Sequence, residues 1–155
     1  MGRLLITLLL CAERILSQPL LYLSLHFKEH RSEYYRLLQE VRETGDWEAW
    51  LEFFLQGVVR TAESATNTAR RLLTLFQSDR IQLQGESATV LRLHSLLQQK
   101  PVLSVSVTAR ELGVTSPTAT KALRTLEQQG IVSEITGGEY RRLYAYSRYL
   151  DTLNE

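Results

Sequence analysis

The sequence predicts a mainly α chain: a helical bundle followed by a smaller α+β unit. Three observations carry that prediction. Apolar residues keep a helical period across most of residues 29–77. Pro101, Gly113, Pro117 and Gly130 then punctuate a series of short helical periods. Two β-rich runs, 131–136 and 143–146, flank the pair Gly137-Gly138. At 155 residues the chain has room for one mid-sized domain or two small ones, and 44% apolar residues suffice for a core.

Charge narrows the function classes. The net charge is +1, so no global field draws the chain to nucleic acid or to a membrane surface. Residues 1–85 hold ten basic and ten acidic side chains, and residues 86–155 hold eight and seven. Any DNA binding must therefore come from a local patch. The single cysteine, Cys11, allows no internal disulfide, which fits a reducing cytoplasm.

Taken in order, residues 2–16 are apolar nearly all round and predict a buried helix. The run from Leu4 to Leu10 imitates a signal peptide. It is too short to span a bilayer, no small-residue cleavage site follows, and the pattern continues through Ile15 and Leu16. No membrane partner is expected. Ser17-Gln18-Pro19 breaks the pattern. The run 20–27 is helical or extended, which periodicity does not decide. Residues 29–43 predict an amphipathic helix with Tyr34, Tyr35, Leu37, Leu38 and Val41 facing the core. Asp46 caps a long helix over 47–77 that carries Trp50, Phe53, Phe54, Val58, Ala62, Ala65, Ala69, Leu72, Leu73 and Phe76. Its alanines predict close packing against another helix. Residues 79–86 lose the pattern and read as a hinge, leaving 1–78 as the helical half and 87–149 as the second domain.

The second domain has sharper signals. Residues 87–99 predict a helix that Lys100-Pro101 ends, and 102–105 predict a short strand that pairs with the later β-rich runs. Residues 107–112 predict a short helix stopped by Gly113. Ser116 reads as the N-cap of the next helix, with Pro117 at its first position. Ala119, Ala122, Leu123 and Leu126 fall at i, i+3, i+4, i+7 and form its buried stripe. Gly130 ends it, and the two β-rich runs follow as a wing. Residues 149–153 read as a short helix or a frayed tail. Helix, turn, capped helix and two-stranded wing make a winged helix-turn-helix. This stretch resembles the winged-helix domains of bacterial regulators of the MarR and GntR kind.

With that stripe buried, the outward face of the helix offers Ser116, Thr118, Lys121 and Arg124, with Thr120 to one side. Hydroxyls near a helix N-terminus suit phosphate, and Lys121 can reach phosphate or guanine edges in a major groove. Arg141 and Arg142 follow the Gly-Gly turn and point to a minor groove or backbone contact. The same face equally suits a protein partner. No catalytic or metal set emerges: His26, His30 and His94 lack metal-ligand spacing, and Cys11 lies in an apolar run.

The first half carries a second resemblance. Gly2-Arg3-Leu4-Leu5-Ile6-Thr7, Pro19-Leu20-Leu21-Tyr22-Leu23-Ser24, the block from Glu29 to Gln39 with its Tyr34-Tyr35 pair, and Gly45-Asp46-Trp47-Glu48-Ala49-Trp50 are similar, in order and spacing, to the C-terminal part of Fic-domain proteins. The resemblance covers residues 2–76. Fic enzymes transfer AMP from ATP, with Mg²⁺, to a hydroxyl of a target protein, and many carry a winged helix-turn-helix after this region. Their signature runs His-Pro-Phe, an acidic residue, then Gly-Asn-Gly-Arg and a final arginine two residues on. Arg3 matches that final arginine, and Tyr35 matches the tyrosine that borders the adenine; the rest of the signature is absent. The resemblance implies a C-terminal fragment of a Fic-type protein adenylyltransferase, truncated within its signature, inactive alone and needing no cofactor. Its winged unit would dock DNA, a target protein or a second copy. The other expectation is a free-standing winged-helix DNA-binding regulator with a helical dimerisation region.

Overall fold

The computed structural model describes residues 8–9, 11–14, 23–138 and 142–154. Of the helix expected over 2–16, residues 8–9 and 11–12 are helical and 13–14 form a turn; the remainder lies outside the described residues, as does the break at Pro19. The chain forms two compact units, 1–67 and 68–155.

In the first unit, α1 (Leu23–Glu29) and α2 (Arg31–Thr44) precede α3 (Glu48–Gln82), whose length continues into the second. The run that periodicity left open is thus helical from Leu23. One helix expected to begin at Glu29 is instead divided at His30, whose backbone turns to φ −104°, ψ 40°. Its Nδ1 lies 3.1 Å from the His26 carbonyl, which also accepts from the His30 N–H at 3.0 Å. Gly45, in the left-handed region at φ 75°, closes α2 by donating to the Val41 carbonyl. The Asp46 carboxylate accepts from Glu48 N at 2.9 Å, and α3 opens at Glu48, one residue later than predicted.

Phe27 is the centre of this unit's core, fully buried, with Leu23 and Leu37 buried beside it. Its ring meets Tyr34 at 5.0 Å and stacks on Phe53 at 6.0 Å. Tyr35, expected to face the core, is 52% exposed. The reason is rotational: Tyr34 and Leu37 already fill the inward arc of α2, and an adjacent residue lies about 100° around a helix. Gly57 has a specific role in α3. A Cβ there would lie 2.5 Å from His26 Cδ2, so the buried imidazole occupies the space a side chain would need. Beyond Gly57, Ala62, Ala65 and Ala69 are exposed in the chain itself, contrary to the close packing expected of them. Leu51, Leu55 and Val59 are also exposed on α3.

The stretch 79–86, expected to be a hinge, is helical to Gln82. Asp79 interrupts the apolar pattern without leaving the buried face. It is completely buried, as is Leu83 four residues on. Tyr146 OH donates to Asp79 Oδ2, and Arg148 donates to Oδ1 at 2.6 Å. A buried carboxylate is tolerable only when paired in this way.

The second unit continues with α4 (Ala88–Leu97), β1 (Val102–Ser104), α5 (Val105–Leu112), α6 (Ser116–Gln128), β2 (Ser133–Glu134), β3 (Leu143–Ala145) and α7 (Ser147–Asn154). The strands form an antiparallel sheet in the order β1-β3-β2, with Leu103 opposite Tyr144 and Ser133 opposite Ala145. Ser87 caps α4 and Ser104 caps α5, each through its hydroxyl. Leu83, Leu93, Leu97, Leu123, Leu126, Ile131 and Tyr146 are among the side chains of one continuous core. The fold class is as predicted: mainly helical, with an α+β winged unit.

Candidate nucleic-acid interface

Gly113, at φ 65°, ends α5, and the chain turns through Val114-Thr115 into α6. Thr115, not Ser116, is the N-cap: its backbone is extended at ψ 155°, and Ser116 is already helical. Pro117 therefore sits one position deeper, still where no intrahelical donor is required. Ala119, Ala122, Leu123 and Leu126 are all buried, which fixes the rotation of α6 about its axis.

That rotation turns Ser116, Thr118, Lys121 and Arg124 to solvent. The first turn carries no acidic residue, so the positive end of the helix dipole is not neutralised there. Thr118 Oγ1 lies 2.9 Å from Thr115 Oγ1, a hydroxyl pair at the helix entrance. Thr120 donates to the Ser116 carbonyl and Thr125 to the Lys121 carbonyl, so both hydroxyls are committed to the backbone. A shallow surface hollow runs along this face, lined by Ser116, Pro117, Thr120, Lys121, Arg124, Thr125 and Gln128. Sequence reading missed Thr115, Pro117 and Gln128 as members of this face. The spacing 117, 121, 124, 128 is the signal that finds the last two.

The wing places its residues differently. Arg142 is half-buried, and its Nε donates to the Gly138 carbonyl at 3.0 Å. Arg141 lies outside the described residues. Glu134 accepts from the Thr136 hydroxyl, from Thr136 N at 3.2 Å and from Gly137 N at 3.0 Å. The Thr136 hydroxyl bond, followed by the backbone bonds and the Arg142 charge, holds its carboxyl below the ordinary carboxylate range.

The remaining candidates lie apart from this surface in sequence. Arg3 is outside the described residues. Tyr35 meets Tyr34 edge-on at 5.3 Å, with the Arg31 guanidinium 5.6 Å from its ring centre. No three His, Cys, Asp or Glu side chains gather into a metal-binding group among the described residues. No helix among them is long and apolar enough to cross a membrane.

A short α5, a tight turn, an α6 with an open cationic face and a ribbon behind it define the winged helix-turn-helix class. A family model described as winged helix-turn-helix DNA-binding matches residues 86–133. The matched residues take in α4, β1, α5 and α6 and stop at the first residue of β2.

Proposed function

We propose that the protein is a DNA-binding regulator that lays α6 in the major groove and associates with a second copy through residues 1–85. The outward face of α6 carries this reading. Lys121 and Arg124 lie on it one turn apart, beneath a helix entrance rich in hydroxyls and lacking acidic residues. In a chain of net charge +1, such a local surface is what DNA contact requires. The exposed Leu51, Leu55 and Val59 support association, and a paired reader suits two half-sites. A cytoplasmic setting follows from the role.

The test is duplex affinity measured across a salt series. Lys121→Ala is expected to weaken binding and lower the salt slope by about 0.9, the value of one phosphate contact. Arg124→Ala should act in the same direction. Binding that is insensitive to both changes would remove α6 from the interface.

The Fic-like blocks of residues 2–76 support a second reading. In it, the winged unit docks a protein adenylyltransferase that uses ATP and Mg²⁺ to modify a protein hydroxyl. In-frame codons upstream of Met1 encoding His-Pro-Phe and Gly-Asn-Gly-Arg would establish it, and unrelated codons would dismiss it. The DNA reading is preferred because the family match falls on the winged unit.

A further inference from the structure

Acidic residues are unfavourable near a phosphate backbone, yet Glu134 stands at the base of the wing. Its surroundings explain why it is there. One oxygen, Oε1, accepts from three donors: the Thr136 hydroxyl, Thr136 N and Gly137 N. The same Thr136 hydroxyl accepts from Leu143 N at 3.3 Å, at the start of β3. A relay thus runs from the Leu143 N–H through the Thr136 hydroxyl to Glu134, and it ties both limbs of the ribbon at one point. Ile135 N donates to the Leu143 carbonyl at 2.9 Å, so the tie extends the β2–β3 pairing into the turn. Gly137, at φ 63°, aims its N–H back at the carboxylate. From the other limb, Arg142 closes on the Gly138 carbonyl.

We propose that Glu134 is a positioning residue for DNA binding: it ties residues 134–137 to the start of β3 and so keeps Arg142, the residue before Leu143, in place for a phosphate contact. The role rests on the DNA-binding reading and adds to it a requirement for a carbonyl-type acceptor at this position. All three bonds use Oε1, so a glutamine, which keeps a carbonyl oxygen there, preserves the clasp while removing the charge. An alanine removes both. The charge and the clasp therefore act in opposite directions on affinity, and the two substitutions separate them.

The experiment measures duplex affinity of the full chain for wild type, Glu134→Gln, Glu134→Ala and Thr136→Val, with thermal melting to establish that each is folded. Glu134→Gln should bind as well as wild type or more tightly. Glu134→Ala should bind about three- to tenfold more weakly than Glu134→Gln, the scale of one phosphate contact misplaced. Thr136→Val, which changes no charge, should fall on the alanine side. Alanine and glutamine variants that bind alike, or an alanine variant that binds more tightly, would overturn the role while leaving DNA binding standing. A wild-type chain with no duplex affinity would overturn the DNA reading and this role together. Amide exchange at Thr136 and Gly137, faster in Glu134→Ala than in Glu134→Gln, gives an independent readout of the clasp. Equal exchange in both would contradict it.

Discussion

The two compact units reach stability by different routes. In the second, α4, α5, α6 and the sheet enclose one core in which Leu93, Leu97, Leu123 and Leu126 are fully buried. Two of its helix entrances are capped through the hydroxyls of Ser87 and Ser104, and the buried Asp79 carboxylate has two donors. In the first, the described residues bury mainly Leu23, Phe27 and Leu37, while Leu25, Leu51, Leu55 and Val59 stay exposed. Each unit leaves buried polar atoms without a hydrogen-bond partner among the described residues: His26 Nε2 and Trp50 Nε1 in the first, His94 Nε2 and Thr108 Oγ1 in the second. The difference is one of degree: the second unit encloses one core while Leu73, Ile81 and Ile135 stay exposed on it, whereas in the first Leu51, Leu55 and Val59 follow one another on α3 as apolar surface of the kind that marks an association site.

The contrast can be broken most forcefully by one pair of substitutions. Leu123→Ala, at a fully buried site, should cost about 2–5 kcal/mol. Leu55→Ala, at a site 59% exposed, should stay within about 0.5 kcal/mol in thermal melting. Leu55→Ala should instead reduce self-association in sedimentation velocity. If the two substitutions cost the same, or if the chain sediments as a monomer at high concentration, the division of roles collapses.

A smaller effect, with an informative sign, belongs to Gly57. Alanine in a helix interior is ordinarily favoured over glycine by about 1 kcal/mol. Here the added Cβ would meet His26 Cδ2 at 2.5 Å and Nε2 at 2.9 Å. The ring is pinned between His30, at 4.4 Å, and Phe53, at 5.1 Å, so it has little room to yield. Gly57→Ala is therefore expected to destabilise by about 1–3 kcal/mol. A stabilised variant in denaturant titration would show that the first unit is loosely packed even at its core.

The smallest effect separates the units by pH. His94 is completely buried in the second unit, with Nε2 lacking a partner and Nδ1 3.4 Å from Gln98 Nε2. Burial holds its pKa below the ordinary 6.5, against the opposing pull of Asp79. The unfolded chain takes up a proton as pH falls through 6.5 and the folded chain does not, so acid favours unfolding. The slope contributed by one such ring is at most about 1.4 kcal/mol per pH unit below that point. His26 is shifted in the same direction, first by burial and then by His30 and Arg60. His94→Gln should flatten the fall in Tm between neutral and mildly acid buffer, leaving the part due to His26. An unchanged profile would mean that His94 does not report on the second unit's core.

The second unit was the more legible in the sequence. Its boundaries are set by local chemistry, such as Gly113 in the left-handed region, and that chemistry is written in single residues. The outward face of α6 followed directly, because the four residues of its buried stripe leave one rotation. Asp79 misled the reading because a carboxylate in an apolar period looks like a break; its partners Tyr146 and Arg148 lie far away in sequence. Glu134 carried no signal, since its role depends on the path of a turn. Tyr35 illustrates the converse: an aromatic at helical spacing was read as core, but Tyr34 took the inward position.

The bond between Tyr146 and Asp79 spans 67 residues, and that separation has a consequence for synthesis. When Asp79 leaves the ribosome its partners have not been made, and its carboxylate must remain in water. It can enter the core only after β3 has been translated and brought back against β1. Burial of the phenol, with Asp79 accepting from it, raises the Tyr146 pKa, so each group depends on the other's arrival. A nascent chain paused before Tyr146 is therefore expected to leave the Asp79 carboxylate without these donors, outside the closed core.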